Sequence, residues 1–178
     1  MPVCIALDSN CLTYFINSMA PDYEPDKDNS GLVEEKVSLL RTFFYVDINY
    51  WVMPAVQAEY NKIKDINNKY LHDQTTGILL GEWQNENEIA IGKLKLIYLQ
   101  FHKHDNDCRI AAEANMAKMD YLLTREDSFI KHLNTRTGKL TIIKPSDLWK
   151  ELAISKGAKT KLAPHSTNPL YKKNWWKW

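Results

Sequence analysis

The sequence predicts a three-layer α/β/α domain around a central, mainly parallel sheet of four to five strands. Two observations lead there. Short, continuous apolar runs at 3–7 (VCIAL), 120–124 (DYLLT) and 140–143 (LTII) have the length of strands buried on both faces. The segments between them carry apolar residues at helical spacing, and strands alternating with helices imply βαβ crossovers and a sheet covered on both sides.

Taken in order, strand 3–7 leads into a helix at 11–19 with Leu12, Phe15, Ile16 and Met19 on one side. Residues 21–30 hold two prolines and several Asp, Asn and Ser residues, and read as a loop. A helix over 32–44 follows, with Ser30 as its expected N-cap and Glu34 and Glu35 near its positive end. Residues 46–53 read as a strand, and Pro54 suits the first position of the next helix, which carries Val56, Glu59, Tyr60 and Ile63. The polar stretch 64–77 has no clear periodicity. Helices are expected over 86–103 and 106–118, then strand 120–124, a short helix 126–134, strand 140–143 and a last helix over 146–154. From Gly157 onward the periodicity is lost. The expected division is a domain over 1–155 and a basic, aromatic tail over 156–178.

A chain of 178 residues is long enough for one domain with one core. Its 44% apolar and 25% charged content are those of an ordinary globule. No apolar run approaches the ~20 residues of a membrane span, and MPVCIALDSN does not resemble a signal peptide. Three cysteines without a C-x-x-C argue against a disulfide framework or a zinc site. Cys11 and Cys108 read as small buried hydrophobes, and Ala111, Ala112, Ala114 and Ala117 as a close-packing helix face. A cytoplasmic protein without membrane contact is the expectation.

The net charge of +1 hides an asymmetry. Six of the 23 basic residues follow Leu152 and no acid does, which leaves 17 bases against 22 acids in the body, a net of −5.

Four carboxylates stand where elements hand over to one another. Asp8 closes the first apolar run, Glu59 lies in the helix behind the second, Asp107 opens the helix before strand 120–124, and Glu126 follows that strand by two residues. In open α/β sheets ligands bind beyond the carboxyl ends of the strands, so all four can reach one edge. Hard Mg²⁺ or Mn²⁺ prefers such oxygen ligands and keeps several waters. The bland alternative is that Asp8 and Asp107 cap helices while the others are solvated. Ser9 and Asn10 read as hydrogen-bond partners of Asp8 or as the N-cap of helix 11–19, and Asp105 as an extra ligand or, preferably, a loop acid. His102 and His104, two apart, do not face each other on a helix, which argues against a two-histidine metal site. Neither a G-x-x-x-x-G-K nor a G-x-G-x-x-G pattern occurs.

The segments LDSN (7–10), PAVQAEY (54–60), NDCRIAAEA (106–114) and DYLLTREDSF (120–129) resemble, in order and spacing, the motifs of the PIN-domain nucleases. The resemblance covers roughly residues 3–150. It implies a Mg²⁺- or Mn²⁺-dependent endoribonuclease with Asp8, Glu59 and Asp107 at matching positions. The fourth position departs from the family pattern: Glu126 stands where an Asp is usual. Either its longer side chain reaches the metal or Asp127 takes its place, with Thr124 as the polar residue closing the strand. The family also implies RNA as substrate and, in toxin-type members, a protein inhibitor. A catalytically weakened module that binds RNA or a protein without cleaving it is the alternative. In the tail, Lys172, Lys173 and Lys177 interleave with Trp175 and Trp176, a pattern suited to neutralising phosphates and stacking on unpaired bases. Docking of the tail on its own domain or on a second subunit is the competing expectation.

Overall fold

The computed structural model describes residues 2–84 and 87–178. Five strands, β1 (Val3–Leu7), β2 (Ile48–Val52), β3 (Gly81–Glu82), β4 (Tyr121–Leu123) and β5 (Thr141–Ile143), form one sheet in the order β3-β2-β1-β4-β5 with every pair parallel. The helices are α1 (Ser9–Ser18), α2 (Val33–Tyr45), α3 (Pro54–Tyr60), α4 (Ile66–Leu79), α5 (Glu88–Tyr98), α6 (Asp105–Met116), α7 (Asp127–Leu133) and α8 (Pro145–Glu151). On the helical layers α2 packs between α1 and α8, while α6 packs between α5 and α3. This is the expected three-layer α/β/α arrangement.

The register positions everything that follows. Leu7 lies opposite both Val52 and Leu123, and Leu123 lies opposite Ile143. The next residues, Asp8, Met53, Thr124 and Lys144, therefore stand side by side just beyond the carboxyl edge. The Asp8 amide donates to the Leu123 carbonyl at 3.0 Å and the Thr124 amide to the Ile143 carbonyl at 3.1 Å, which carries the ladder one residue further. Strand order reverses direction between β1 and β4, the point at which such sheets open a crevice.

Burial follows the apolar runs. Ile5, Ala6, Leu7, Leu122, Leu123 and Ile142 are fully enclosed, with Leu12, Phe15 and Ile16 of α1 packed above them. Helices α3 and α8 share an unusual start. Each begins on a proline, Pro54 or Pro145, and the residue before it offers no side-chain cap. The next amide is satisfied from a distance instead: Ala55 donates to the buried Glu113 carboxylate, and Ser146 to that of Glu35, both at 2.9 Å.

Several expectations are corrected. Ser30 does not cap α2; its Oγ accepts from the Leu32 amide at 3.2 Å, closing the turn before a helix that starts without a side-chain cap. Residues 66–79, left without periodicity in the sequence, form α4, whose buried positions are His72 and Thr76 while Ile66, Tyr70 and Ile78 point outward. The short β3 pairs with Trp51 and Val52, and Gly81 permits it: a Cβ there would come within 2.6 Å of the Trp51 ring. The expected helix over 86–103 is observed from Glu88 to Tyr98, and Glu86 lies outside the described residues.

The tail is no loose appendage. Trp176 is 3% exposed, packs 4.7 Å from the Phe44 ring and donates its Nε1–H to the Leu170 carbonyl. Arg41 donates to the carbonyls of Trp175, Trp176 and Lys177 and lies over the Trp178 ring. Trp175 meets Tyr23 edge to face. These contacts match the competing expectation that the tail docks on its own domain; the Trp176 ring is enclosed there, while Trp175 is half-buried. Lys172 and Lys177 stay exposed, and Lys173 approaches Glu24 at 3.8 Å. Among the described residues no helix is long and apolar enough to cross a membrane.

Candidate functional site

Asp8 follows β1 and, as the N-cap of α1, accepts from the Cys11 amide at 2.6 Å. It is 5% exposed. Burial pushes its carboxyl up to about 6; hydrogen bonds from Thr124 and Cys11 pull down, and the nearby Glu126 pushes up again. Thr124 is fully buried and its hydroxyl also accepts from the Glu126 amide at 3.1 Å, so one threonine orders both acids.

Glu59 projects from α3, held in place at its other end by the amide of Ala55 on Glu113. The Ser9 hydroxyl donates to Glu59 Oε2. The Glu59 carboxyl is raised by burial, then by Asp107 and Glu126, and lowered by Lys62. Asp107 sits in the first turn of α6, and its Oδ2 lies 2.8 Å from His102 Nε2. Electrostatically the four acids form a connected set: Asp8 feels Glu126, and Glu59 feels both Glu126 and Asp107.

The remaining candidates fall to either side. Asp127 is turned outward and pairs with Lys144 at 2.6 Å, and Asp105 pairs with Lys95 at 2.6 Å. Asn10 is exposed within α1. Arg125 is exposed on the same edge, and its guanidinium lies beside the Tyr14 hydroxyl, partly offsetting the upward push of burial on that phenol.

As donors the four acids suit a hard divalent cation, because every available atom is a carboxylate oxygen. The buried Asp8 carboxylate supports the fit, since among the described residues its hydrogen-bond partners, the Cys11 amide and the Thr124 hydroxyl, are both neutral. Among the described residues, though, no three of the His, Cys, Asp and Glu side chains are gathered closely enough to hold an ion. Asp8, Glu59 and Asp107 each engage a neighbour of their own, and ligation calls for side-chain convergence.

Two groups of the region have roles that the sequence reading did not give them, Glu113 being passed over and His102 weighed only as a metal ligand. Glu113, fully buried in α6, fixes the start of the helix that carries Glu59. His102, 2% exposed, contacts Asp107. Both signals are weak in a sequence: Glu113 lies inside a helix, and His102 is no acid. No protein-family model matches the sequence, and no curated protein matches it either.

Proposed function

We propose that the protein is a PIN-like, Mg²⁺- or Mn²⁺-dependent endoribonuclease, with Asp8, Glu59, Asp107 and Glu126 as the residues that hold the ion. The observation that carries this reading is the buried Asp8 at the β1/β4 crevice, charged against its environment and electrostatically linked through Glu126 to Glu59 and Asp107. A fold that places like charges together against their desolvation cost has a use for them more often than a bare structural role demands. When bound, such an ion lowers the pKa of a water and stabilises charge on a phosphodiester. Thr124 and the Cys11 amide orient Asp8, Ser9 orients Glu59, and His102 orients Asp107. Exposed Arg125 and Lys62 on the same edge supply positive charge for a polyanionic substrate, which the acids alone repel. RNA as the substrate class rests on the sequence resemblance.

A second reading, a module that holds RNA or a protein without cleaving it, is favoured by the lack of a gathered ligand trio among the described residues. Labelled RNA incubated with Mn²⁺ and with EDTA separates the two. Cleavage only with Mn²⁺ supports the enzyme; gel retardation with intact RNA under both conditions replaces it with the module.

A further inference from the structure

His102 lies outside the set of acids and is enclosed on every side. Its ring stacks on Phe129 with centroids 5.4 Å apart and planes 17° apart. Its amide donates to the Tyr98 carbonyl at 3.0 Å, and its own carbonyl accepts from Cys108 Sγ at 3.3 Å. Backbone and ring are thus fixed from α5, α6 and α7 together. Its Nε2 stands 2.8 Å from Asp107 Oδ2, and its Nδ1 stands 3.2 Å from His132 Nδ1.

The chemistry of the first contact assigns its proton. An ionised carboxylate only accepts, so His102 Nε2 carries a hydrogen and donates to Asp107. Between His102 Nδ1 and His132 Nδ1 one ring nitrogen donates and the other accepts, so His132 holds the far edge of the His102 ring. The contacts run without a break from exposed His132 through buried His102 to Asp107. Asp107 Oδ1 has no hydrogen-bond partner among the described residues.

Resting on the nuclease reading above, we propose that His102 is the positioning residue for Asp107, with His132 bracing the far edge of its ring. A charge on a short side chain at the first turn of α6 can swing between rotamers. A donor fixed on one oxygen stops that motion and leaves the other oxygen available to an ion. Partners of this kind behind metal-ligating groups change metal affinity by about 10–100-fold when removed.

The test is Mn²⁺ binding to the full chain by isothermal titration calorimetry, with thermal melting of each variant alongside. His102→Phe keeps the stacking volume and removes the donor, and it is expected to weaken Mn²⁺ binding by about 10–100-fold. His102→Gln restores a donor near the Nε2 position and is expected to recover most of that loss, which a purely structural role does not predict. His132→Phe, on the surface, gives a smaller loss and serves if His102→Phe melts below the assay temperature. Wild-type affinity in His102→Phe, or in His132→Phe where that variant stands in, overturns the proposal while leaving the nuclease reading intact, provided Asp8→Asn abolishes binding. No Mn²⁺ heat in the wild type overturns both.

Discussion

Glu35 and Glu113 are buried as deeply as Asp8, yet the two kinds of site are built on opposite terms. Glu113 accepts from the Ala55 amide and from Arg109 Nε, each at 2.9 Å, and Arg109 in turn pairs with Glu88. Glu35 accepts from both the amide and the hydroxyl of Ser146. Each glutamate lies at the positive end of a helix that starts on proline and lacks its own cap, where a carboxylate is favoured. Asp8 also caps a helix, but its partners there are neutral, and nearby Glu126 adds a like charge. The first arrangement joins helices; the second accumulates negative charge at the crevice of the sheet. Position within a fold, not burial, separates structural acids from candidates for chemistry.

Substitutions should split along that line, in opposite directions. The largest effect is expected at Asp8. A carboxyl raised to about 6 in the fold binds its proton more tightly folded than unfolded. Its contribution to stability is therefore present below the unfolded value near 4 and is lost as pH rises through about 6. At pH 7 the ionised group costs at most about 3 kcal/mol. Asp8→Asn, which keeps a good N-cap, should raise the denaturation free energy at pH 7 by up to that amount and change little at pH 4. Urea melts at the two pH values check this, and a variant destabilised at pH 7 would place Asp8 with the structural acids.

Next come Glu35→Ala and Glu113→Ala. Each strands a buried helix-start amide, at a cost of about 1–3 kcal/mol, while the glutamine variants, which still accept, should cost less. Melting curves measure this. Stability equal to wild type in both alanine variants would erase the contrast between the two kinds of acid. A smaller effect belongs to Thr124→Val. Loss of its hydroxyl removes a donor from Asp8, pushing that carboxyl further up, and should lower stability at pH 7 by about 1 kcal/mol. The Asp8 carboxyl resonance followed against pH by NMR reports the shift directly.

How much of this was legible in the sequence depends on where the signal resides. The strands over 3–7, 120–124 and 140–143 could be read because burial on both faces demands unbroken apolar runs. β3 could not, because two residues held by a glycine's close approach to Trp51 leave no run. α4 hid for the converse reason: its inward residues are His72 and Thr76, so its apolar residues mark the wrong face. Asp8, Glu59, Asp107 and Glu126 stood out because each lies at or near an element end, and the register of β1, β2 and β4 explains why those ends share one edge. Glu113 and His102 were invisible as partners. Glu113 reaches Ala55 across 58 residues and His102 reaches His132 across 30, and although His102 and Asp107 are close in sequence, the turn between α5 and α6 that joins them carries no periodic signal. The tail pattern of lysine and tryptophan was equally readable as RNA-facing or self-docking, and only the packing of Trp176 on Phe44 decided for docking of the rings.

The central claim is that the acids at the β1/β4 crevice serve chemistry, and Asp8→Asn tests it most directly. Cleavage of labelled RNA with Mn²⁺ should be lost in this variant while its melting temperature at pH 7 stays equal to or above that of wild type. Full Mn²⁺-dependent cleavage by a folded Asp8→Asn protein would contradict the account.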